Sequence, residues 1–194
     1  MKKVLVIALV VMLGVASLAV VGCGGGDTDQ AKEYMVTADA ACDVLKASAD
    51  ALDKESEAII GSAITGDVST LDPTSLAAIG EDLDTLIAEC DQVSGLYNNI
   101  TNLEGVDDYF DYANAMIAYL NEQKVALKAG KAIFEAMAPA IEQLATTGDA
   151  SALTAALQES GEALKGLDDL GKKADDAFEA AEKIKMDKGL QDIN

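Results

Sequence analysis

The sequence predicts an all-α fold, an up-down-up-down antiparallel bundle of two long helical hairpins. Three observations predict it. Apolar and small residues recur at alternating steps of three and four over four long segments, which places them on one stripe of a helix. Alanine, leucine, glutamate and lysine dominate the composition, all strong helix formers. Only two prolines occur in 194 residues. Half the residues are hydrophobic, enough to support a folded core despite the high charge.

The first helix is expected from about Asp29 to Ile64, with its stripe at Met35, Ala38, Cys42, Leu45, Ala49, Leu52, Ser56, Ile59 and Ala63. Asp72-Pro73 marks the start of the second: a capping carboxylate, then a proline where its missing N–H costs nothing. That stripe is Leu76, Ile79, Leu83, Leu86, Cys90, Val93, Tyr97 and Ile100, and the Asn- and Gly-containing stretch to Gly105 ends it. A third helix begins near Asp107 or Asp108. Its stripe runs from Tyr109 through Ala113, Met116, Leu120, Gln123, Leu127, Gly130, Phe134, Met137 and Ile141 to Leu144. Pro139 lies inside it and predicts a kink or a break. The fourth begins near Asp149 or Ser151, with Leu153, Leu157, Ser160, Leu164, Leu167, Gly171, Ala174, Phe178 and Ala181 facing inward. Gly189 is expected to cap its lysine-rich end. Helices of this length cannot bury their stripes alone, and short links favour antiparallel neighbours.

Two stretches are alike. Thr65-Gly66-Asp67 and Thr147-Gly148-Asp149 each follow a long helix and open the next. Gly80-Glu81-Asp82-Leu83 then matches Gly161-Glu162-Ala163-Leu164. Glycine suits a helix C-cap and aspartate the following N-cap, so the similarity needs only a structural cause. Duplication and chance similarity in an Ala/Leu/Glu-rich chain both remain open.

The N-terminus has a different character. Lys2 and Lys3 precede 18 uncharged residues, Val4 to Val21. Val20-Val21-Gly22-Cys23 follows, and this arrangement resembles the signal peptide and lipobox of bacterial lipoproteins, with Val20 where leucine is usual. The resemblance implies cleavage before Cys23, a diacylglyceryl group on its thiol, and a chain held at the cell membrane or outer membrane, facing outside the cytoplasm. Two or three acyl chains on one residue anchor a protein stably, whereas one holds it only marginally. The expected organisation is a cleaved leader over 1–22, a lipidated cysteine and glycine tether over 23–28, an acidic four-helix domain over 29–189, and a tail over 190–194.

Charge restricts the partners. There are 34 acids against 14 basic residues, all lysine, and no histidine. A surface at −20 repels nucleic-acid phosphates and anionic lipid head groups. The expected partners are the membrane, through the lipid, and a protein of basic character. The absence of histidine removes Ser-His-Asp and Cys-His catalysis and His-ligated zinc or haem. No phosphate-binding glycine loop occurs. No catalytic residue, metal ligand or cofactor is assigned. The acidic groups at Asp107, Asp108 and Asp111, at Asp168 and Asp169, and at Asp175, Asp176 and Glu179 lack a calcium-loop pattern.

Cys42 and Cys90 lie on the inward stripes of the first two helices, roughly equidistant from the turn between them. Outside the cytoplasm this pairing predicts a disulfide. Counted from the turn, however, Cys42 stands about 33 Å back and Cys90 about 26 Å on, so two separate buried thiols are the alternative. Tyr97, Tyr109, Phe110, Tyr112, Met116 and Tyr119 form the densest aromatic group, expected either as core or as a patch for a ligand or partner. The sequence therefore reads as a membrane-anchored, non-enzymatic interaction or structural module. The second reading is a ligand-binding or sensory bundle with a pocket near these tyrosines.

Overall fold

The computed structural model describes residues 27–65 and 73–192. The leader, Cys23, the glycine tether, Asp72 and the first Thr-Gly-Asp turn beyond Thr65 lie outside the described residues, as do the side chains of Ala63, Leu76, Leu157 and Leu164.

The chain is an all-α helical bundle. Its helices are α1 (Asp27–Thr65), α2 (Pro73–Thr101), α3 (Asp107–Thr147) and α4 (Ser151–Asp187), followed by a 3-10 turn at Leu190–Asp192. Among the described residues no helix is long and apolar enough to cross a membrane.

The ends form for identifiable reasons. Asp27 and Asp29 occupy the first turn of α1, and Asp107 and Asp108 that of α3, where carboxylates complement the helix dipole. Gly148 closes α3 at φ 70°, its amide donating to the Leu144 carbonyl at 2.9 Å. The Ser151 amide then donates to Asp149 Oδ1 at 2.9 Å and starts α4. These bonds hold the Asp149 carboxyl below its usual range. Gly189, at φ 66°, donates to the Met186 carbonyl and ends α4. Pro139 does not break α3, which runs unbroken from Asp107 to Thr147.

The contacts divide the chain into two compact units. Unit 1 holds residues 27–46, 90–121 and 175–192; unit 2 holds 47–65, 73–89 and 122–174. Met35, Ala38, Leu45, Val93, Ile100, Ala113, Met116, Leu120 and Ala181 are at most 2% exposed in unit 1. Leu190, in the 3-10 turn, is buried there too. Unit 2 buries Ile79, Leu86, Met137, Ile141, Leu144 and Leu153. Each such aliphatic side chain stabilises its unit by about 1.5–3 kcal/mol. In unit 2, Lys131 binds both oxygens of Asp84 at 2.5 Å and stands 3.5 Å from Glu135.

Candidate functional site

In unit 1 a single carboxylate gathers one polar group from each of the other three helices. Asp39 on α1 accepts the Tyr97 hydroxyl of α2 at 2.7 Å and the Tyr112 hydroxyl of α3 at 2.9 Å, both on Oδ1. Its Oδ2 receives Lys185 Nζ of α4 at 2.6 Å. Helical spacing produces the convergence. Tyr97 and Tyr112 are 0% and 1% exposed, so their hydroxyls need a partner inside. Asp39 follows the buried Ala38 on α1 and sits at the edge of the apolar stripe. Lys185 lies one turn beyond the buried Ala181, near enough for its long stem to reach inward.

The electrostatics follow from this geometry. Burial pushes both phenols far above the ordinary tyrosine value, and the neighbouring Asp39 charge adds to the shift. Burial of Lys185 alone would lower its affinity for a proton. The hydrogen bond and charge of Asp39, with Glu182 and Asp43, outweigh that, and the net shift is upward. The centre therefore holds one negative carboxylate, one ammonium and two protonated phenols. Lys185 Nζ also stands 5.4 Å from the centre of the Tyr112 ring, and the Tyr97 and Tyr112 rings meet edge to face at 6.1 Å.

No family model matches the chain, and no curated protein or solved structure was found to be similar to it.

The predicted aromatic group is divided. Tyr97 and Tyr112 join at Asp39. Met116 and Tyr119 are buried, and Tyr119 packs on Phe178 of α4 at 5.1 Å, with Lys46 Nζ 3.5 Å above the same Phe178 ring. Tyr109 is half-buried, while Phe110 is 42% exposed. Asp39 and Lys185 were missed in the sequence because each reads as a solvated charge. The one available signal was Tyr97 on the inward stripe, whose hydroxyl requires an acceptor; the stripe of the third helix ran through Tyr109, whereas the structure buries Tyr112 and leaves Tyr109 half-buried.

Cys42 and Cys90 are both buried. The expected disulfide is not formed in this structure: both are thiols. Burial pushes the Cys42 thiol up to about 12. Of the acidic groups, Asp108 and Asp111 are bound by Lys188, at 2.6 and 3.4 Å. Among the described residues no three cysteines or carboxylates are grouped to hold a metal. Unit 2 has an open groove of about 450 Å³ whose lining includes Ala77, Gly80, Glu81, Asp84, Phe134 and Ala138.

Proposed function

We propose that the chain is a lipoprotein held outside the cytoplasm through Cys23, and that its helical domain is a non-enzymatic interaction or structural module. The observation that carries the module reading is the Asp39 centre. Its carboxylate, ammonium and hydroxyls are bonded to one another across four helices, which is the arrangement of a brace and leaves no activated group facing a substrate. The phenols are buried and the Asp39–Lys185 pair is about one-fifth exposed, and hydrogen-bonded networks of this kind make a core rigid and specific. The anchor rests on Lys2, Lys3, the uncharged run and the Val20–Cys23 motif.

Tyr97 and Tyr112 have almost no exposed surface, so they favour this reading over a ligand pocket at the tyrosines. Phe110, Val36 and Met186 stand 42–59% exposed in unit 1 and are among the large apolar side chains there that a partner could cover. On an acidic domain the fitting partner is a basic protein.

Two measurements test the proposal. Metabolic labelling with a fatty acid should mark the wild-type chain, and Cys23→Ala should abolish the label and release the protein from membranes. A Cys23→Ala chain that stays membrane-bound would remove the anchor. Cross-linking in intact cells should capture a protein partner, with capture reduced several-fold by Phe110→Asp. Turnover of a small molecule that depends on Asp39 would replace the module with an enzyme.

A further inference from the structure

Counting from the turn between α1 and α2 leaves Cys42 and Cys90 at different levels, but the opposite ends of these helices fix the register directly. The Glu104 amide donates to Asp27 Oδ2 at 3.3 Å, and the Tyr97 hydroxyl meets Asp39 at 2.7 Å. Residue numbers thus rise along α1 as they fall along α2, and the two helices are antiparallel within unit 1. From Asp27 to Cys42 the rise is about 22 Å and from Cys90 to Thr101 about 16 Å, before the turn in which the Leu103 amide donates to the Ile100 carbonyl, so the two cysteines lie within about 6 Å of a common level.

The tyrosine contact gives the same level independently. Asp39 stands about one turn before Cys42, and Tyr97 about two turns after Cys90, with a phenol that reaches back toward the start of its own helix. Both side chains are buried, at 2% and 1% exposure.

We infer that Cys42 and Cys90 form an intramolecular disulfide when the chain folds in an oxidising compartment, tying α1 to α2 beside the Asp39 centre. The compartment rests on the proposed export of the chain; the pairing does not. The oxidant is a disulfide-bearing molecule or protein. One cysteine thiolate attacks it, a mixed disulfide forms, and one thiolate of the oxidant leaves. The second cysteine thiolate then attacks the protein sulfur of the mixed bond, and the oxidant's other thiolate leaves. The chain loses two protons and two electrons, and the oxidant becomes a dithiol. Burial shields both sulfurs in the closed bundle, so exchange takes place while α1 and α2 dock.

The test uses the full chain in neutral detergent, incubated in glutathione redox buffer across a urea series, then alkylated and weighed intact. The expected product is monomeric, lighter by two hydrogens and unalkylated at both positions, and non-reducing digestion links the Cys42 and Cys90 peptides. It should melt several degrees above its reduced form, a difference that the Cys42→Ser, Cys90→Ser double variant lacks. Two alkylated thiols at every urea concentration, or bridges only between chains, would overturn the pairing. Chain taken from cells with its thiols blocked at lysis separates the two claims. If it carries both thiols while the buffer-treated chain bridges, the pairing stands and the export reading fails.

Discussion

Removing the carboxylate of Asp39 leaves one ammonium and two phenols without their shared acceptor. Asp39→Ala is therefore expected to destabilise the chain by roughly 2–4 kcal/mol, since uncompensated buried polar groups cost more than the bond they lose. Tyr97→Phe removes a single donor and should cost about 1–2 kcal/mol. Urea melts followed by circular dichroism check both, and equal losses for the two variants would mean that Asp39 is no hub. The same phenols set an alkaline limit. Their folded pKa values are raised, so their contribution is complete below the unfolded value near 10 and declines as pH rises beyond it. The melting temperature should drop from about pH 10 upward, less steeply in the Tyr97→Phe, Tyr112→Phe double variant. Glu89, 8% exposed, has a carboxyl raised by burial. Its ionised form opposes folding at neutral pH, and Glu89→Gln should raise the pH 7 melting temperature more than the pH 4 one.

At the scale of the helix, Pro139 offers the sharpest expectation. It lies exposed within α3, has no amide hydrogen to give the Glu135 carbonyl, and its ring crowds that carbonyl. Pro139→Ala should stabilise the chain by about 1–3 kcal/mol, and thermal melts would show it; a loss would mean that the proline ring itself contributes to packing. Gly148→Ala should act oppositely, by about 1–2 kcal/mol, because φ 70° strains any residue with a Cβ. The starts of α2, α3 and α4 and the cap glycines were legible in the sequence because caps are local chemistry, decided within a few residues. The inward stripes were legible for the same reason: Ile79 through Ile100 are buried at the expected steps. Convergence on Asp39 was not, because it depends on where α1 meets α4, 146 positions apart along the chain. Neither was the continuity of α3 through Pro139, since packing of Met137, Ile141 and Leu144 on either side of the bond outweighs one missing amide.

The charge of the whole chain acts on every helix at once. At −20, with a sequence pI near 4.1, the compact state holds its acids closer together than the unfolded chain does. Self-repulsion therefore opposes folding. Salt screens it: the Debye length falls from about 30 Å at 0.01 M to about 3 Å at 1 M. Screening also weakens the exposed pairs of Lys131 with Asp84 and of Lys188 with Asp108, but such surface pairs are each worth only about 0–1 kcal/mol. Repulsion among twenty excess charges is the larger effect, so sodium chloride should raise the melting temperature, most steeply at the low end of the salt range. The gain should shrink near pH 4–5, where protonation begins to remove the same charges. A melting temperature that falls with salt at pH 7 would mean that the lysine pairs govern the surface. The same field governs association, since a basic partner drawn by it should bind faster at low salt and slow as screening rises. Stability and capture are thus expected to respond to salt in opposite directions, a divergence that measurements on one preparation can reveal.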